Sequence, residues 1–128
     1  MAVLNQIAET LLSSTASVDM KTPSVKKTLY TVPTGKTMIV TKIVVRSVSA
    51  TLAGGTSYAF GGTLTCSDWK SGVDLHLITG STLYYVIAND NPSTVSTMQV
   101  AGTAFGMYIT TGATNAATAT IDVFGYLF

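Results

Sequence analysis

The chain has 128 residues, a formal net charge of +1, 47% hydrophobic and only 10% charged residues, and a single cysteine. A chain of this length builds one core that buries about two-thirds of its unfolded surface, and charge so far below the usual share of about 25% leaves too few basic groups for phosphate neutralisation, which excludes a nucleic-acid partner. The lone Cys66 rules out an intrachain disulfide and a cysteine-based zinc site, so solubility rests on hydroxyls, Ser and Thr making up about a quarter of the chain.

Residues 1–27 read differently from the rest and are expected to form an N-terminal arm ahead of a β domain over 28–128. Val3, Leu4, Ile7, Leu11 and Leu12 recur at helical spacing, which places them on one face of a short amphipathic helix. The same segment also fits an extended strand, laid on its own domain or reaching onto a neighbouring subunit. The following SSTASVDMKTPS has loop composition. The start carries no basic region followed by an apolar run, and no later window reaches the 18 apolar residues that span a membrane, so a soluble protein made in the cytoplasm, with no membrane partner, is expected. Lys21, Lys26 and Lys27 form the one close basic cluster and read as solvated side chains.

Leu29–Ser49, LYTVPTGKTMIVTKIVVRSVS, joins a short β run to a long β-branched one through Pro33-Thr34-Gly35. Proline presets φ at the first corner and Gly35 tolerates positive φ, so the chain can reverse there. Strict alternation in the long run puts Ile39, Ile43 and Val45 on one face and Met38, Val40, Val44 and Val48 on the other. Both faces are partly apolar, which assigns one to the core and makes Val40, Val44 and Val48 a candidate contact face.

Further candidate strands are Thr56–Leu64, Leu75–Thr79, Leu83–Ala88, Val95–Ala101, Phe105–Thr111 and Ala117–Phe128, giving about eight with Leu29–Val32 and Thr37–Ser49. The punctuation between them, at Ala53-Gly54-Gly55, Ser67–Gly72, Gly80-Ser81, Asn89–Pro92 and Gly112–Asn115, is mostly short and favours consecutive antiparallel neighbours. Short strands without βαβ spacing predict an all-β antiparallel sandwich of jelly-roll type, with a closed up-and-down barrel as the alternative. The last strand alternates Ala119, Ile121, Val123 and Leu127 against Thr120, Asp122, Phe124, Tyr126 and Phe128. An end this apolar belongs inside the sheet or in a subunit contact, so Phe128 joins the candidate contact residues.

Catalytic chemistry finds little support. The only histidine, His76, is expected on a strand face beside Asp74, and a nucleophile needs a base within reach. There is no GxSxG elbow, Cys66 reads as a small hydrophobe, and no dinucleotide or phosphate-loop pattern occurs. Asn89-Asp90-Asn91 offers one carboxylate where a calcium loop wants several, the remaining acids are scattered, and no cofactor or metal is expected. Asp68-Trp69-Lys70 could present the sole tryptophan, with Tyr84 and Tyr85, as a stacking platform for a sugar or partner protein; the competing reading is a Trp that caps the core.

Tyr30–Thr37, the hydrophobic strand after it, and the closing Ile121–Tyr126 resemble small β-sandwich structural proteins of tailed bacteriophages, over residues 28–128. The resemblance implies a jelly roll that decorates or cements a capsid, often as a trimer, its arm gripping neighbouring subunits. It supplies no catalytic residues. High mean hydropathy, +0.43, with few charges agrees with a homo-oligomer whose surface is hidden by partners. The expected function is therefore a non-enzymatic virion decoration protein bound to a major capsid protein or another virion protein. The alternative is a carbohydrate- or receptor-binding sandwich, including a tail, collar or fibre component.

Overall fold

The computed structural model describes residues 9–88 and 95–128. Eight strands run β1 (Thr10–Asp19), β2 (Lys26–Thr31), β3 (Met38–Arg46), β4 (Ser57–Gly61), β5 (Lys70–Val73), β6 (Tyr85–Ala88), β7 (Ala104–Thr111) and β8 (Thr118–Leu127), with no helix among the described residues. They form two antiparallel four-stranded sheets, β1-β8-β3-β6 (sheet A) and β2-β7-β4-β5 (sheet B). This is the strand order of a jelly roll.

Only β4 and β5 are neighbours in both sequence and sheet. Short links were expected to join consecutive antiparallel neighbours, but almost every one instead crosses from one sheet to the other. The Pro33–Gly35 turn shows how: Lys36 N donates to Pro33 O at 3.1 Å and Gly35 has φ 76°, yet the strands on either side lie in different sheets. Each strand can then bury one face against the opposite layer.

The core fills the space between the sheets. Tyr58, Phe60, Phe105, Met107 and Ile109 come from sheet B; Met38, Ile43, Val45, Ile121 and Val123 come from sheet A, all without solvent exposure. Hydrogen bonds stitch the layers together. Ser13 Oγ donates to Leu29 O at 2.6 Å, the Tyr58 hydroxyl to Met20 O at 2.8 Å, and the Trp69 indole N–H to Val40 O at 3.0 Å. The chain end is tied into sheet A by Phe128 N to Thr37 O and Thr37 N to Phe128 O, at 3.0 and 2.8 Å.

The expected arm differs from what is seen. Val3, Leu4 and Ile7 lie outside the described residues, as does the turn at Asn89–Pro92. Leu11 and Leu12 sit not on a helix but on β1, an edge strand paired with β8 from Thr10↔Gly125 to Asp19↔Thr118. Ser and Thr are turn residues by composition, but β-branched Thr also suits a half-buried pleat, and here the register shifts at Leu11/Ser13 and Thr15/Val18 absorb the irregular pattern. A boundary after residue 27 would cut inside β2.

Two expected strands are absent. Leu75–Ile78 is a turn closed by Ile78 N to Leu75 O at 3.1 Å, started by the Asp74 carboxylate, which accepts the His76 backbone N–H at 3.0 Å. An aspartate that captures the backbone two residues on diverts the chain from a ladder. Of Val95–Ala101 only Gln99 pairs, as an isolated bridge to Met38. In their place stands β5, whose first three residues lie in the segment expected to be the Ser67–Gly72 loop.

Candidate interaction surface

Strand β3 sets the surface, and its register is not the one strict alternation predicts. A bulge between Val40 and Lys42 places Val40 opposite Gly125 and Lys42 opposite Phe124. The extra residue reverses the side-chain alternation. Met38 and Val40 therefore join Ile43 and Val45 in the core, while Val44 turns outward with Lys42 and Arg46.

The candidate contact face is corrected accordingly. Val40 and Val48 are 3% and 4% exposed and belong to the core, so neither can meet a partner; Val44 is half-buried on the outer face of sheet A and Phe128 is exposed. That outer face has two cross-strand rows. Leu11, Phe124, Lys42 and Ala88 form one, and Ser14, Asp122, Val44 and Val86 the other.

Each row mixes apolar area with paired charge. Lys42 Nζ lies 4.7 Å from the Phe124 ring centre and 3.5 Å from Glu9 Oε1. Glu9 also accepts from Thr41 Oγ1, and that hydrogen bond, more than Lys42, holds its carboxyl below the ordinary range. In the second row Asp122 accepts from Arg46 Nε at 2.7 Å and Ser14 Oγ at 2.6 Å. Burial pushes the Asp122 carboxyl up, but these hydrogen bonds and the Arg46 charge outweigh it and leave it lowered. Spending the charges on one another leaves Leu11, Val44 and Val86 as the face's open chemistry, beside the Phe124 ring that lies under Lys42.

The expected Trp69–Tyr84–Tyr85 platform does not form as one unit. Trp69 is 6% exposed, its N–H is committed to Val40 O, and its ring meets Phe105 edge-on at 6.2 Å and 75°. The core-capping reading of Trp69 is the one realised. Tyr84 and Tyr85 are exposed, with Tyr85 lining a cleft of about 350 Å³ between β5 and β6.

Other polar residues are built into the fold. His76 Nδ1 lies 2.5 Å from Asp74 Oδ1 in an exposed pair. Asp68 Oδ1 accepts Gly62 N at 2.7 Å and its Oδ2 accepts buried Gln99 Nε2 at 3.2 Å, which ties the β4–β5 connection to the residues after β6. Lys26 and Lys27 donate to Gly62 O and Thr22 O. Burial pushes the Cys66 thiol up, away from the reactive thiolate. Among the described residues no three His, Cys, Asp or Glu side chains gather as a metal site.

The residues the sequence reading missed are on β6. Val86 is 43% exposed at a sheet edge, a property set by topology rather than by composition. Compared with known proteins, the chain matches no family model, no curated protein and no solved structure.

Proposed function

We propose that this chain is a non-enzymatic structural protein of a bacteriophage virion, a decoration or cement subunit that associates with itself and with a capsid or other virion protein through apolar sheet surface. The observation that carries the reading is the outer face of sheet A, where neutralised charges frame Leu11, Phe124, Val44 and Val86 on a rigid jelly roll. Apolar area set among satisfied polar groups is the make-up of a protein-binding patch. The acids seen here act as caps and ties, a use that fits a scaffold.

The test is assembly of virus particles with wild-type protein or Val44→Lys. A lysine at the centre of the face is expected to lower occupancy on the particle by about tenfold or more, while the purified variant melts with the wild type. Equal occupancy would overturn the reading. The glycan-binding alternative retains the exposed Tyr84 and Tyr85 beside the β5–β6 cleft but has lost Trp69; loss of glycan-array signal in Tyr85→Ala would favour it.

A further inference from the structure

The two sheets have four edges, and three are guarded. Strand β1 is broken by two register shifts and by Ser17 at φ 58°. Strand β2 carries Lys26 and Lys27 and a shift between Thr28 and Tyr30. Strand β5 carries Lys70 at its start and Gly72 at φ 66°. Bulges, lysines and kinks are the devices that stop a sheet edge from pairing with another chain. Strand β6, Tyr-Val-Ile-Ala, is as short as β5 and has Lys70 on its last carbonyl, but within the strand it carries no charge, proline or glycine, and its ladder with β3 runs from Val45↔Tyr85 to Lys42↔Ala88 without a shift. Among the described residues its other side pairs with nothing.

The surroundings of β6 are apolar and carry charge of opposite sign at the two ends. Leu77 is 74%, Tyr84 67% and Tyr85 45% exposed, and Leu77 and Tyr85 line one hollow together with Asp74. Asp74 therefore lies at the Tyr85 end. Lys70, whose Nζ donates to Ala88 O at 3.1 Å, lies at the Ala88 end.

We infer that β6 is a self-association edge, pairing antiparallel with β6 of a second copy about a two-fold axis. The symmetry follows from the charges. A two-fold axis through the middle of β6 sets the Tyr85 end of each copy against the Ala88 end of the other, so Asp74 of one faces Lys70 of its partner, twice over. A parallel pairing of the two edges would instead put like charge against like. Strand pairing joins the two A sheets into one of eight strands and makes their outer faces continuous, which doubles the apolar area offered to a third protein. With only four residues in β6, the backbone bonds set direction and register, and most of the buried area comes from Leu77, Tyr84, Tyr85 and Val86. The contact is isologous and two-fold, not the three-fold arrangement that the phage resemblance implies. It does not depend on the virion reading, since it concerns the purified protein alone.

Light-scattering mass measurement across a concentration series tests it. Wild type is expected at twice 13.3 kDa. Val86→Lys, which places a charge on the edge, is expected at the single-chain mass with an unchanged far-ultraviolet spectrum. Asp74→Lys leaves the residues of β6 unchanged but also removes the carboxylate that accepts the His76 N–H; it is expected to weaken the dimer by about tenfold, and recovery of much of that loss when Lys70→Asp is added separates the lost ion pair from the lost cap. A wild type that stays monomeric or is trimeric, a folded Val86→Lys that remains dimeric, or an Asp74→Lys that dimerises as well as wild type would overturn it. Failure here leaves the particle assay of the virion reading unaffected.

Discussion

The indole N–H of Trp69 donates to the main-chain oxygen of Val40 at 3.0 Å, joining the residue that leads into β5 to the last residue before the β3 bulge. Val40 lies beyond the β3–β6 ladder, which begins at Lys42. Its carbonyl takes a partner from the opposite sheet, so the tryptophan closes the sandwich where sheet A narrows. Trp69→Phe keeps most of the packing but removes that hydrogen bond, and is expected to cost about 1 kcal/mol; Trp69→Ala should cost about 3–5 kcal/mol. Urea midpoints at constant m check both.

The bulge sets Val40 apart from Val44, and Ser47, at φ 54°, turns the chain after β3 so that Val48 is buried as well. Val40→Ala and Val48→Ala each remove two buried methyl groups and are expected to cost about 2 kcal/mol. Val44→Thr should stay within about 0.5 kcal/mol, because that side chain is on the outer face. Thermal melts of the three variants would show the pattern, and equal effects would contradict the bulged register.

The Ser14–Asp122–Arg46 cluster predicts an acid dependence. The folded-state pKa of Asp122 lies below its ordinary 3.8, so the unfolded chain binds its proton first as pH falls. The stabilisation is complete above that ordinary value and is lost as pH drops through the lowered one. Asp122→Asn should flatten the stability–pH profile between pH 5 and 2, about, relative to wild type. With Arg46 half exposed, Asp122→Ala should cost no more than about 1–2 kcal/mol.

Burial pushes the Tyr58 hydroxyl up to about 12 from 10.0. The unfolded chain then loses this proton first, so stability is intact below pH 10 and falls as pH rises from 10 towards 12. Tyr58→Phe removes that alkaline loss. It also removes the bond to Met20 O, which still accepts Ala113 N at 3.0 Å, so the expected cost at neutral pH is about 1 kcal/mol. Denaturation curves at neutral and alkaline pH separate the two effects.

What could be read from the sequence follows from which forces are local. The alternation of Ala119, Ile121, Val123 and Leu127 survives in β8 because that strand is central, with ladders on both sides and one face on the core. The sandwich class was legible for the same reason. Strand β3 was legible as a strand but not by face, because one extra residue at the bulge depends on its partner β8 and leaves no compositional mark. The Leu75–Ile78 turn hid behind alternating leucines, since the deciding contact is a single carboxylate on the His76 N–H. Trp69 carried both readings, and only the position of Val40 decides between them. Val86 could not be singled out at all: its exposure comes from β6 standing at an edge, which is fixed by the order of strands far apart in the chain.

Quantitative mass spectrometry of purified virus particles tests the central claim most directly. A structural subunit that works through the outer face of sheet A should appear at a fixed ratio to the major capsid or tail protein, unchanged by salt washes that strip electrostatically held proteins. Its absence from the particles, or a trace amount removed by those washes, would contradict the account.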